Sequence, residues 1–487
     1  MWWRDAVLYQ VYVRSFADAN GDGHGDLPGL RSKLDYLEWL GIEALWLNPV
    51  HPSPDADWGY DVADFTGVHP DFGTIDDLDA LVADAGARGI RILLDLVPNH
   101  TSDRHPWFAD PTKRDWYVWA DEPNNWESTF GGSAWTKHPE VGRYYLHNFL
   151  PEQPDLNWWN DGVRSAFEEI LRFWFDRGIA GFRVDVAHAL VKDRLLRDNP
   201  VAGRAADRRE ERVYNMNRPE VHDVYRRWRE LAREYDPERV YLGETWVGDP
   251  HELVKYYGDD DELHLAMNFP FVQAELAADE LRPILERWES VLPKTAWPVW
   301  CGSNHDLVRF PTRWCAGDEA KIRCALLILL TIRGTPILYY GDEIGMEQVE
   351  IPEDEQLDRA HSRDGCRTPM PWTREPDGEW WLRWGDTTRN VEDMRADPTS
   401  ILHLCRDLIV LRRELRGGYA PLDAPRGIWA WRRGDSGVVA VNLSDRAAKV
   451  RGVDGTIRID TARGCEGEAV AGAVELEPWQ GVVVLPQ

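Results

Sequence analysis

Gly181-Phe182-Arg183-Val184-Asp185-Val186-Ala187-His188 places two opposite charges inside a run that otherwise reads as a buried β-strand. In a strand, residues two apart share a face. Arg183 and Asp185 therefore point the same way, out of a layer occupied by Phe182, Val184 and Val186. Burying a charge pair is costly, which leaves two readings: a structural ion pair at a strand end, or a pair kept for chemistry. Carboxylates at the ends of other strands would favour the second.

Outward from this run the pattern repeats. Helical apolar spacing over 163–177 leads into it, and AVLYQVYV (6–13), IEALWLNP (42–49) and IRILLDLV (90–97) precede it as strands, with helical spacing over 27–40 and 75–88 between them. VYLGETW (240–246), LHLAMNF (263–269), VWCGS (299–303) and TPILYY (335–340) continue the series. Strands alternating with helices need crossover connections and hence a parallel sheet, and eight such units close a barrel. The alternation stops over 101–161, where Trp, Pro, Asn and Gly crowd together; so long a stretch is expected to form a small lobe. The segment 190–239 reads as charged and mostly helical, with an Arg-rich solvated loop over 204–212. A helix over 400–416 ends the barrel portion, and beyond Gly417-Gly418 the alternating, Gly-punctuated texture predicts an antiparallel sandwich. The expected fold is α/β: a (β/α)8 TIM barrel over 1–100 and 162–416, a lobe inserted after strand three over 101–161, and a C-terminal antiparallel β-sandwich over 417–487.

Length agrees, since 487 residues hold one barrel domain of roughly 250–400 residues plus smaller units. A formal net charge of −28 repels nucleic acid and anionic membranes, so neither is an expected partner. The 26 Trp suit protein cores and also the apolar faces of sugars, and turn the reading toward carbohydrate. The six cysteines fall in the later part of the chain without C-x-x-C spacing, as expected of buried free thiols in a reducing compartment. No basic segment followed by a long apolar run opens the chain, and the best uncharged apolar stretch, 324–332, is too short to span a bilayer. A cytoplasmic monomer or homodimer with no membrane partner is expected.

Barrel enzymes keep their sites at the C-terminal ends of the strands. Those ends carry Asp95 and His100, Arg183 and Asp185, Glu244, and His305-Asp306. No Cys or Ser beside a His, no phosphate-cradling glycine loop and no zinc-spaced His pair competes with them. Near the N-terminus, Asp18-Ala19-Asn20-Gly21-Asp22-Gly23-His24-Gly25-Asp26 alternates oxygen side chains with glycines. Asp18, Asn20, Asp22, Asp26 and the His24 carbonyl suit a hard structural cation, Ca2+ or Mg2+; a polar Gly–Asp turn is the plainer alternative. No organic cofactor is expected.

These stretches resemble α-amylase-type glycoside hydrolases, specifically the α-glucosidase branch with its oligo-1,6-glucosidases and trehalose synthases. DLVPNH (95–100), GFRVDVAH (181–188), GETW (243–246) and SNHD (303–306) are similar to the family's four main motifs in order and spacing. QPDLN (153–157) is similar to the additional motif of α-glucosidases and trehalose synthases, and DANGDGHGD (18–26) to the family's metal loop. The resemblance implies a retaining double displacement. Asp185 attacks the anomeric carbon, while Glu244 protonates the leaving oxygen and later deprotonates the acceptor. It further implies that Arg183 keeps Asp185 ionised and aimed, that Asp95 orients Arg183, and that Asp306, His100 and His305 hold the sugar. Tyr60 of DWGY (57–60) would stack under the terminal sugar. Arg367 of RTPM (367–370) matches an arginine that pairs with Asp57 to close the pocket, with Phe149 as a further wall. The implied action is exo, on short α-glucosides.

This chain departs from the family pattern at Trp58, where many relatives have Asn, and at His188-Ala189, where many amylases have Lys-His. Val186 after the implied nucleophile resembles enzymes acting on α-1,6 links. The leading expectation is an exo-acting retaining α-glucosidase, with transglucosylation as a further capacity. A transferase or isomerase of the same architecture, such as a trehalose synthase or sucrose-directed enzyme, is the close alternative, and a non-catalytic amylase-like binding protein the remote one.

Overall fold

A computed structural model describes residues 1–202, 209–358, 361–376 and 378–486. Eight strands of one parallel sheet carry the fold: β1 (Leu8–Val11), β2 (Ala44–Leu47), β3 (Arg91–Leu96), β4 (Gly181–Val184), β5 (Val240–Gly243), β6 (Leu265–Ala266), β7 (Val299–Cys301) and β8 (Thr335–Tyr339). All eight expected strands are present, each shorter than its apolar run, and they make the (β/α)8 barrel. The chain divides into two compact units, Met1–Leu45 with Arg88–Ile90 and Asn268–Gln487, and Trp46–Ala87 with Arg91–Met267.

Within the second unit β3, β4 and β5 lie side by side in parallel, Asp95 opposite Arg183 and Leu242 opposite Arg183. Gly181 opens β4 because a Cβ there would meet the Val240 carbonyl oxygen at 2.1 Å. Only glycine allows so close an approach. The helix Asp161–Asp176 starts on an Asn160 side-chain cap to the Gly162 N–H and buries Val163, Phe167, Ile170, Leu171, Trp174 and Phe175, the apolar face that its 3.6-residue spacing predicts.

Two sequence expectations change. The helix over 27–40 is two, Leu27–Ser32 and Leu34–Leu40, because Lys33 leaves helical geometry (φ −99°, ψ 4°). There its ammonium sits 4.5 Å over the Trp372 ring. The segment 190–239 is not mostly helical: Val221–Ala232 is its one α-helix among the described residues. Over 190–200 and 211–220 polar side chains hold non-helical backbone, Asn199 bonding Asn215 (2.9 Å) and Asn215 bonding Asn148 of the inserted lobe (3.0 Å). Of the Arg-rich stretch, 204–208 lie outside the described residues.

The lobe holds a three-stranded antiparallel sheet (Trp119–Ala120, Tyr144–Leu146, Trp135–Lys137). Its core is Trp126, Ala134, Trp135 and Leu146, with Leu196 and Tyr214 packed against it. At the C-terminus, six antiparallel strands between Tyr419 and Leu485 and the separate pair Ala448–Arg451 and Ala473–Leu476 enclose a core that includes Ile428, Val438, Val450, Ile457, Val474 and Val484. All six cysteines are free thiols, five of them buried. Among the described residues no helix is long and apolar enough to cross a membrane.

Candidate active site

In the second unit one guanidinium gathers three carboxylates. Arg183, 1% exposed, places Nη1 at 2.8 Å from both Asp95 Oδ1 and Asp185 Oδ1, and Nη2 at 2.8 Å from Glu244 Oε2. The register explains the gathering, because Arg183 on β4 has Asp95 beside it on β3 and the end of β5, with Glu244 one residue beyond, on its other side. Its flat face lies 5.0 Å from the Trp46 ring centroid. Burial alone would lower the Arg183 pKa; the Asp95 and Glu244 carboxylates override it and hold the group charged. Burial pushes the Asp95 carboxyl up to about 6 against the pull of Arg183. The other Asp95 oxygen accepts from Trp46 Nε1 (3.1 Å) and the Tyr60 hydroxyl (3.0 Å).

The strand stops at Val184, so Val186 is not part of the apolar layer expected of it. Asp185 bonds through its N–H to the Leu96 carbonyl (2.8 Å), and the chain then turns through Val186 at φ +33°. That conformation is unusual for a β-branched residue. It aims the Val186 N–H at Glu244 Oε2 (2.9 Å), while Trp246 Nε1 donates to Oε1 (3.0 Å).

Asp57 and His100 are joined by Gln153, not expected as a site residue although it opens QPDLN. Gln153 Nε2 donates to Asp57 Oδ2 (3.0 Å) and lies 3.1 Å from His100 Nε2. Asn99 donates to His100 Nδ1 (3.1 Å), which sets the tautomer whose Nε2–H faces the Tyr60 carbonyl (3.1 Å). Burial lowers the His100 pKa, keeping it neutral. The Phe149 ring stands 5.2 Å from that of His100. Lys192, also missed, sits in an oxygen cage of Asn99 Oδ1 (2.5 Å), the Ala189 carbonyl (2.7 Å), the Leu190 carbonyl (3.3 Å) and Asp155 Oδ2 (2.7 Å). A lysine in a charged, irregular segment carries no signal of such a cage.

In the first unit His305 and Asp306 follow β7. Gln10 on β1 approaches His305 Nδ1 (2.8 Å), and His305 Nε2 lies 3.2 Å from Asp306 Oδ2. Arg363 and Arg367 each reach Asp306 Oδ1 at 3.2 Å, and Arg367 Nε donates to the His305 carbonyl (2.8 Å). The Arg363 contact was not foreseen.

The loop over 18–26 is held by its own turns. Asp18 accepts from the N–H groups of Asn20, Gly21 and Gly23, Asn20 from that of Asp22, and Asp22 from that of His24. Asp26 caps the following helix through Gly29 N–H and also accepts from Ala19 N–H. Carboxylate and amide oxygens keep further lone pairs, so half-buried Asp18 and exposed Asn20 and Asp22 retain acceptor capacity, while Asp26 is given mainly to capping. A second group, Asp55, His69 and Asp71, draws its donor atoms within 4.8 Å of one another. Both ring nitrogens of His69 are already engaged, by Asp71 N–H and the Ser53 carbonyl.

Comparison with known proteins bears on the fold and the family. Residues 10–417 match the model of the alpha-amylase catalytic domain. The chain is 39% identical to a probable alpha-glucosidase of Rhizobium meliloti (strain 1021), over 85% of this chain and 82% of that protein. It is 36% identical to a glucan 1,6-alpha-glucosidase of Streptococcus pneumoniae over 99% of each. Among solved structures, the alpha-glucosyl transfer enzyme XgtA superposes with a TM-score of 0.92 at 36% identity, over 100% of this chain and 99% of that one. A parallel eight-stranded sheet, carboxylates gathered at its strand ends and a match over most of the length lead to one conclusion: this chain belongs to the alpha-amylase catalytic domain family.

Proposed function

We propose that the protein is a glycoside hydrolase, an α-glucosidase that releases glucose from the non-reducing end of short α-glucosides with retention of configuration. The observation that carries this reading is the convergence of Asp95, Asp185 and Glu244 on buried Arg183. In the first step an Asp185 oxygen bonds to the anomeric carbon as the C1–O bond breaks, and Glu244 gives its proton to the departing oxygen. In the second, water bonds to C1, the C1–Asp185 bond breaks, and Glu244 takes the proton of the water. Arg183 keeps Asp185 anionic and oriented, and Asp95 keeps Arg183 in place. Asp306 is assigned to sugar hydroxyls, with His100, His305, Arg367, Asp57, Tyr60 and Phe149 as further contacts.

The second reading, glucosyl transfer to a sugar acceptor, is favoured by the likeness to XgtA. Both readings share the glycosyl-enzyme and differ in the attacking group. Incubation with maltose, isomaltose, sucrose and trehalose separately, with all products resolved, tests them. Glucose as the dominant product supports the hydrolase, and dominant new oligosaccharides or isomers support the transferase; no turnover of any of them would refute both.

Asp18, Asn20, Asp22, Asp26 and the His24 carbonyl are proposed to hold a structural Ca2+ or Mg2+, which would tie down the N-terminal loop. Dialysis against a chelator should lower the melting temperature and Ca2+ restore it. The free, mostly buried cysteines support a cytoplasmic location.

A further inference from the structure

Glu244 must hold its proton on one of two oxygens, and their surroundings differ. Oε2 receives two donors, Arg183 Nη2 at 2.8 Å and the Val186 N–H at 2.9 Å. A carboxylate oxygen has two lone pairs for hydrogen bonds, so a proton on Oε2 would have to displace a guanidinium or a backbone N–H held by the turn at Val186. Oε1 receives one donor, Trp246 Nε1 at 3.0 Å, and keeps a lone pair for the proton. Glu244 itself is buried, whereas Trp246 is 40% exposed, so the indole is not held there by core packing alone.

We propose that Oε1 is the proton-carrying oxygen of Glu244, and that Trp246 is a positioning residue which orients this oxygen and stabilises it as the proton leaves. This rests on the α-glucosidase reading above. As the Oε1–H bond breaks, its electron pair stays on Oε1, the proton moves to the glycosidic oxygen, and that oxygen takes the electrons of the breaking C1–O bond. An N–H donor bonds more strongly to the carboxylate formed than to the neutral acid. The indole therefore acts more on the transition state than on the bound substrate, the condition for raising a rate rather than merely an affinity.

The contribution depends on how much protonation the leaving group needs. Trp246→Phe keeps an aromatic ring and removes the N–H. The variant and the parent protein are compared on α-glucosyl fluoride, which departs without a proton, on a series of aryl α-glucosides of decreasing leaving ability, and on methyl α-glucoside. The expected result is a loss in kcat/KM that grows along the series, reaching roughly ten- to a hundredfold for methyl α-glucoside, the range of one hydrogen bond to a charged group. Equal losses on all substrates, or none, would overturn the proposal. So would losses that follow the size of the aglycone rather than its leaving ability, since these would make Trp246 a sugar-binding platform. If Trp246→Phe does not fold, site-specific replacement of Trp246 by 3-benzothienylalanine, with sulfur in place of the N–H in the same ring system, gives the same comparison. Inactivity of the parent protein on every glucoside would sink the α-glucosidase reading instead, a distinct outcome.

Discussion

Arg183 and the pair Arg412 and Arg433 are buried guanidinium groups that satisfy their charge in opposite ways. Arg183 takes three carboxylates as partners. Arg412 and Arg433 take backbone carbonyls: Leu330, Ile332 and Gly334 for Arg412, Thr331, Leu415 and Gly417 for Arg433. Two of these carbonyls, Leu330 and Thr331, belong to the last turn of the helix Glu319–Thr331 and a third, Ile332, is its C-cap; that end has orphan acceptors and the negative end of a dipole to offer. The pair therefore caps a helix, and burial lowers both pKa values. Around Arg183 acidic groups outnumber the cation. Fold stability alone gives no reason to bury surplus carboxylates, and such surplus is what glycoside chemistry uses.

The contrast can be broken by substitution. Asp185→Asn should lower turnover of an aryl α-glucoside roughly 10^4-fold or more while the protein stays folded, as measured by single-turnover kinetics beside a melting curve. Undiminished activity would remove Asp185 as nucleophile. Arg183→Met leaves three carboxylates without their cation and should destabilise the fold by about 3–5 kcal/mol in denaturant unfolding, as well as abolishing turnover. Arg412→Met is expected to behave differently, with a stability loss of about 1–3 kcal/mol from unsatisfied carbonyls and unchanged kcat/KM. A large loss of activity in a folded Arg412→Met protein would erase the distinction.

Arg309 lies between the two cases and sharpens them. It bonds the Tyr340 carbonyl (2.6 Å) and lies over the Tyr339 and Tyr340 rings. Its nearby acid, Asp342, is pushed by burial up to about 7 despite the opposing pull of Arg309. Because the folded-state pKa is raised, the folded protein binds a proton that the unfolded chain releases between about pH 4 and 7. The contribution of Asp342 to stability is full below the unfolded-state carboxyl pKa and is lost as pH rises through 7. Asp342→Asn should therefore gain stability relative to the parent protein between pH 5 and 8, by about 1–2 kcal/mol, a part of the full-burial limit. A stability difference that does not change with pH would show the carboxyl ionised throughout.

The alternation of strand and helix was legible because a strand of period two and a helix of period 3.6 leave different apolar patterns. The positions of Asp95, Arg183, Asp185, Glu244 and Asp306 at strand ends could be read for the same reason, since a charge in an apolar run stands out. Gln153, Lys192 and Trp246 could not be singled out from residue type alone. A glutamine, a lysine and a tryptophan gain these roles only through what folding sets beside them. The non-helical course of 190–200 and 211–220 was likewise hidden, because asparagine–asparagine bonds to distant residues override local helix propensity.

The amino-acid sequence by itself determined the barrel, the inserted lobe, the C-terminal sandwich and the acids available for chemistry, because these follow from periodicity and residue type. Tertiary structure alone decided that Arg183 bonds three carboxylates at once, that the chain turns at Val186 rather than continuing the strand, and that the two oxygens of Glu244 differ. Hydrogen-bond partners depend on distances of a few ångström between residues far apart in the chain, and no local pattern encodes those distances.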